Sequence, residues 1–296
     1  MAGILRTDQI VRLRSYLAGR QGQPVAARAG VRVTQRRLQQ LVRAGILRRI
    51  EQPIYPGQRT GAKPYLYALA RSGAELVAQQ LGVDVREIEW KPRDAERNLL
   101  FTEHTLAVAD FRLALQQACL DHGVTMAEWT GEAILRREPA RVEILIKDNQ
   151  SLTVTLVPDG YARLVLPSSH AAWIFLEIDR GTVTVEPSQW QLRSWRRKVL
   201  AYRQLQGSGI LKEHFGAESM IVATVTTGPK RLQNLRRVCE RAGGDHRFWF
   251  TTFGELAAET ILTGPIWSVA GLGKQRQRLL PDEGLREATH EPPGRA

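Results

Sequence analysis

Acidic residues all but vanish from the first quarter of this chain. Residues 1–71 carry fourteen lysines and arginines against two acids, Asp8 and Glu51. The formal net charge of the whole chain is +12, so everything after residue 71 is neutral on balance. A chain divided in this way must build two bodies of different surface chemistry. The basic one has the electrostatic footprint of nucleic-acid binding. Arginine outnumbers lysine 35 to 7, part of which is compositional bias. Such bias adds arginines; it does not remove acids from the same segment.

The length of 296 residues suits two domains, at about 100–200 residues each. A hydrophobic share of 43% and a charged share of 24% exclude a wholly disordered or fibrous chain. No apolar run approaches the roughly 18–20 residues of a membrane span. The segment Met-Ala-Gly-Ile-Leu-Arg at the start lacks the apolar region of a signal peptide. Cys119 and Cys239 are too few for a disulfide framework and lack metal-ligand spacing, so they read as buried thiols. The expected address is the cytoplasm, with no membrane partner.

The basic part reads as alternating helices and strands. Thr7 caps a helix with Ile10, Leu13 and Leu17 inward. Pro24 to Ala29 reads as a short second helix closed by Gly30. Thr34 starts a third, with Leu38, Leu41 and Val42 inward. Ile46–Ile50 and Tyr65–Ala70 read as strands around a turn-rich loop, Gln52–Pro64. Ser72 caps a further helix through Leu81. This order resembles a winged helix-turn-helix, and the phrases LVRAGILRRI and PYLYALARSGAELV carry the likeness. The third helix offers Arg32, Gln35, Arg36, Gln39 and Arg43, residue types that read base edges or hold phosphate in duplex DNA. The loop and its strands offer Arg48, Arg59 and Lys63 for the backbone or the minor groove.

Residues 83–97 read as a linker. Beyond it, Asn98–His122 carries a long apolar stripe and reads as a buried helix. Thr125–Trp129, Ser151–Val157, Tyr161–Leu166 and Trp173–Asp179 read as strands. Pro187–Leu205 reads as a helix, Met220–Thr226 as a strand, Lys230–Arg241 as a helix and Arg247–Thr252 as a last strand. Such alternation predicts a mixed sheet with helices on its faces. Gly271–Ala296 is polar and proline-bearing and reads as a flexible tail.

The chemistry concentrates in acids. Asp159 follows Pro158 between two strands. Glu177 and Asp179, two apart on a strand, project to one face. Glu132, in the segment EWTGE, adds a fourth carboxylate at a strand end. Converging carboxylates repel unless a proton or cation intervenes. An oxygen-only set suits Mg²⁺ or Mn²⁺.

A Pro-Asp, then an acid on a hydrophobic strand, in an αβββαβ order, resembles the PD-(D/E)xK nuclease-like superfamily. The resemblance implies a restriction-endonuclease-like fold and metal ligation by Asp159 and Glu177, with Asp179 or Glu132 assisting. The family's strand lysine, which orients the attacking water, is replaced here by Asp179. The resemblance carries that role to Lys198 on the following helix, with Tyr202 one turn on.

The whole chain has a closer likeness. A winged helix followed by EHTLAVADFRLAL, VPDGYARL, FLEIDRGT and WRRKVLAYRQL resembles the replication-relaxation family of plasmids and mobile elements. The resemblance implies an α+β chain. Residues 1–82 would form the winged helix, 83–97 a linker, 98–270 the nuclease-like domain and 271–296 a tail. It implies action on double-stranded DNA in replication or its control, with replication or mobilisation proteins as partners. A sequence-specific regulator of this kind is expected to bind as a homodimer, because two half-sites multiply specificity. Three functional classes stay open: a DNA-binding regulator on a nuclease-derived scaffold, an active Mg²⁺- or Mn²⁺-dependent endonuclease, and a protein-binding adaptor.

Overall fold

The computed structural model describes residues 3–20, 27–52, 64–88, 90, 99–146, 150–182, 184–185 and 194–280. The chain divides into two compact units, residues 1–113 and 114–296.

In the first unit, strand β1 (Leu5–Arg6) leads into helix α1 (Thr7–Arg20). Helix α2 (Ala27–Arg43) follows, then strands β2 (Leu47–Ile50) and β3 (Leu66–Leu69), then helix α3 (Arg71–Leu81). The strands form an antiparallel sheet in the order β1-β3-β2. Ile4, Ile50, Leu66 and Ala68 share its core with Leu106 of helix α4 (Leu99–Asp121). The division between the units falls within α4.

The second helix is not broken where the sequence suggests. Residues 27–43 form one continuous helix through Gly30. Thr34 caps nothing; its hydroxyl donates to the Gly30 carbonyl four residues back, at 2.5 Å. A Thr or Ser hydroxyl inside a helix can bond the carbonyl four residues back instead of capping. Ser72 also caps nothing. The N-cap of α3 is Ala70, and Ser72 donates instead to the Gly45 carbonyl at 2.5 Å. Gly73 lets α3 approach this turn. A Cβ there would stand 2.1 Å from the Ile46 carbonyl oxygen.

The second unit is built on a seven-stranded mixed sheet. In chain order its elements are strand β4 (Thr125–Gly131), helix α5 (Glu132–Leu135), strands β5 (Ala140–Leu145), β6 (Ser151–Leu156), β7 (Gly160–Val165) and β8 (Ala171–Asp179). Helices α6 (Trp195–Gly207) and α7 (Ile210–Phe215), strand β9 (Ile221–Thr226) and helix α8 (Pro229–Arg241) follow. The last elements are β10 (Phe248–Thr252), α9 (Ala258–Ile261), β11 (Trp267–Val269) and β12 (Arg276–Gln277). The sheet order is β12-β11-β10-β9-β8-β7-β4. The β8–β9 and β9–β10 pairs are parallel, joined by helical crossovers, and the others are antiparallel.

Helices α6 and α8 cover one face. Trp195 meets Phe250, and Tyr202 meets both Phe175 and Phe248, all edge-on. The Trp195 indole N–H donates to the Leu235 carbonyl of α8 at 2.9 Å. Trp195 is therefore core packing; Trp190 lies outside the described residues.

Two sequence expectations change in this unit. Residues 151–156 are a strand, but they leave the main sheet and pair with β5, which the sequence reading passed over. Ala140, Val142 and Ile144 point inward from that hairpin, and Arg141, Glu143 and Leu145 point out. The segment after Gly271 does not become tail at once. It adds β12, and Leu279 and Leu280 are buried, with the Leu280 N–H on the Leu262 carbonyl. Described residues of the Pro187–Leu205 helix begin at Ser194, which caps α6 by accepting the Arg197 N–H at 3.2 Å.

Candidate active site

The register of β7 against β8 decides which carboxylates meet. Gly160 pairs with Leu176, and the Asp159 N–H also reaches the Leu176 carbonyl, at 2.9 Å. Asp159 stands one residue before Gly160 and Glu177 one after Leu176, so both carboxylates sit at this end of the pair and feel each other's charge. Both side chains are buried, at 8% and 3% exposure. The Asp159 carboxylate is steadied by the Ile178 N–H at 2.7 Å.

Helix α6 supplies the next layer. Lys198 and Tyr202, one turn apart, both reach Glu177. The Lys198 Nζ donates to Oε2 at 2.5 Å, and the Tyr202 hydroxyl donates to Oε1 at 2.7 Å. Glu132, the first residue of α5, arrives from the far side of β7, because Gly131 pairs with Gly160. It places a carboxylate oxygen within 4.8 Å of one from Asp159. Arg136 also bonds Glu132.

The electrostatics follow from burial. Burial pushes the Glu177 carboxyl up to about 7, and the nearby Asp159 charge adds to the rise. Lys198 and Tyr202 pull the other way without cancelling it. Burial alone would lower Lys198, but the carboxylates of Glu177, Asp159 and Glu132 hold its ammonium above the ordinary value. Burial, then Glu177, raises the Tyr202 phenol far above its usual range. Lys198 therefore keeps its proton, and Glu177 is the group that exchanges one near neutrality.

Asp179 has a different company. Arg231, from the first turn of α8, grips it with two N–H groups at 2.8 and 2.9 Å, and the Thr226 hydroxyl donates to it at 2.6 Å. So the structure brings together Asp159, Glu177, Glu132 and Lys198 and gives Asp179 separate partners. Arg231 and Thr226 were not among the sequence candidates. Their signal was a Thr-x-Thr strand end followed by a basic first helical turn. Thr224, the other threonine, stands beside Glu177 in the parallel register, fully buried, its hydroxyl bonding no described residue.

In the first unit, α2 turns Thr34 and Leu38 inward and leaves Arg32, Gln35, Arg36, Gln39 and Arg43 exposed. Positions 32, 36, 39 and 43 recur at helical spacing and form one stripe. Arg48 stands on β2 opposite Ala68. Arg59 and Lys63 lie outside the described residues.

The replication-relaxation family model matches residues 5–219, well over half the chain. The chain belongs to the replication-relaxation family. The match takes in the first unit and the Asp159–Glu177–Lys198–Tyr202 cluster; Arg231 lies beyond it. No curated protein and no solved structure matches the chain. No helix among the described residues is long and apolar enough to cross a membrane.

Proposed function

We propose that this replication-relaxation protein acts on double-stranded DNA of a plasmid or mobile element and hydrolyses a phosphodiester bond with Mg²⁺ or Mn²⁺. The observation that carries the reading is the β7–β8 register. It brings Asp159 and Glu177 to the same end of the strand pair, with Glu132 in reach of Asp159 and a lysine on the covering helix beside Glu177.

The donor set fits such a cation. Asp159, Glu177 and Glu132 offer carboxylate oxygens, the ligand chemistry of hard divalent ions. Each carboxylate oxygen that accepts one hydrogen bond keeps a second lone pair. Asp159 and Glu177 would hold the ion, and Glu132 would add a third carboxylate. The bound ion would supply Lewis acidity for the phosphate and a more acidic water.

The chain's own groups do the rest. Tyr202 fixes the orientation of Glu177 through Oε1. Lys198 stays protonated and presents N–H donors beside the carboxylates, suited to holding the attacking water or a phosphate oxygen. An N-terminal unit of winged-helix type delivers the DNA, with the α2 stripe as reader and phosphate clamp. A homodimer would let two such stripes share one site. This second unit, in turn, takes the PD-(D/E)xK-like role.

One observation favours a quieter reading. Lys198 already supplies positive charge to Glu177 at 2.5 Å, as a cation would. A centre neutralised in this way would leave a DNA-binding regulator with no cleavage. Incubating duplex DNA with the wild type and with Asp159→Asn, in Mn²⁺, separates the two.

A further inference from the structure

The second unit holds a cavity of about 420 Å³ at the end of the sheet opposite the carboxylates. It lies among the last turns of α6, the end of β5 and the first residues of β10. Along α6, Gln206 in its wall is eight residues from Lys198, about 12 Å at the helical rise. The volume falls in the range of small-molecule sites, about 300–1,000 Å³.

Three features of the lining point to a ligand. Gln206 presents a buried side-chain oxygen that no described residue bonds. A buried acceptor left unpaired costs about 1–3 kcal/mol, which a ligand N–H or O–H would recover by drawing the amide oxygen round into the cavity. Arg203 is held in place, its Nη1 donating to the Ala242 carbonyl at 3.0 Å. Its guanidinium occupies the space above Gly243, where a Cβ would stand 2.7 Å from Nη1. Arg247, paired with Asp245, brings a second guanidinium. Leu145, at 73% the most exposed large apolar side chain described, gives the cavity an apolar edge. Two arginines against one aspartate leave net positive charge, and a preset guanidinium suits phosphate.

We infer that this cavity binds a nucleoside monophosphate. Its phosphate lies on Arg203 and Arg247, its flat base lies against Leu145, and a base or sugar donor meets the Gln206 amide once its oxygen turns to the cavity. The site is independent of the carboxylate centre and of the function proposed for it.

The test is calorimetry on the full chain with AMP, GMP, CMP and TMP, and with inorganic phosphate. The expected result is a dissociation constant in the range of roughly 10–500 µM for at least one nucleotide and much weaker binding of phosphate alone. Arg203→Ala and Gln206→Leu should each weaken it about tenfold. Gly243→Ala, which displaces Arg203 without removing it, should weaken it too. Arg203 is exposed, so its variant keeps the test valid if Gln206→Leu unfolds. A 5′-phosphorylated trinucleotide bound as tightly as the monophosphate would keep the site and assign it to a strand end. No binding of any nucleotide at millimolar concentration, equal binding of inorganic phosphate, or unchanged affinity in the variants would overturn the inference.

Discussion

Lys198 donates to the Oε2 of Glu177 at 2.5 Å, and it does so from a helix turn that also sends Tyr202 to Oε1. The pair is unequal in exposure. Glu177 is buried, while the Lys198 side chain keeps 35% of its surface. Removing the lysine strands a buried charge, which costs more than removing both partners. Lys198→Met at pH 8 should lose about 2–4 kcal/mol in urea unfolding. Lys198→Met/Glu177→Gln should recover most of it. Equal losses in the single and double variants would show that the bond does not support the fold.

The same pair predicts a pH dependence. Glu177 titrates near about 7 in the fold against an ordinary 4.5. Its folded state prefers the proton, so its contribution is complete below about 4.5 and is lost as the pH climbs through 7. Lys198 stays charged throughout this window, its ammonium held by the carboxylates of Glu177, Asp159 and Glu132. In chelator, wild-type stability should fall relative to Glu177→Gln between pH 5 and 8, by up to about 3 kcal/mol. Parallel stability profiles would contradict this.

Asp179 and Arg231 supply a contrast. Both Asp179 oxygens are engaged by Arg231, and one also takes the Thr226 hydroxyl. Arg231→Met should therefore destabilise the protein by about 2–4 kcal/mol yet leave Mn²⁺ binding unchanged. Asp159→Asn and Glu177→Gln should abolish that binding. Mn²⁺ should also release protons at pH 6.5, since ligation requires ionised Glu177. Calorimetry in buffers of different ionisation heat measures this release. Loss of Mn²⁺ binding in Arg231→Met would place Asp179 in the metal site after all.

For the first unit, Arg36→Ala and Arg43→Ala should each weaken duplex DNA binding. Each should also reduce the salt slope by about one, as expected for a lost phosphate contact. Fluorescence anisotropy across a salt series measures both. Unchanged affinity would remove α2 as the DNA-contacting element.

How much of this was legible in the sequence varies with the range of the interaction. Helices α4 and α8 and strands β7, β8, β9 and β10 could be read from local periodicity, because each buries a continuous or alternating apolar pattern. The β5 strand carried the same alternation in Ala140, Val142 and Ile144, and could have been read. That β6 pairs with β5 and leaves the main sheet could not, because pairing is tertiary. Thr34 and Ser72 looked like caps because the cap signal is a residue type, while the bonds they make depend on neighbouring backbone. In the site, Asp159, Glu177 and Lys198 were visible as types at suggestive spacing. Their convergence needed the register. Asp179 was visible too, but its partner Arg231 lies 52 residues away, and no local pattern announces such a pair.

The most direct measurement is cleavage of supercoiled plasmid and short duplex DNA by the purified chain in Mn²⁺, beside Asp159→Asn and Glu177→Gln. The account predicts nicked or linear product from the wild type alone, abolished by chelator, with DNA binding retained in both variants. DNA binding without product, or product formed equally by the variants, would contradict it.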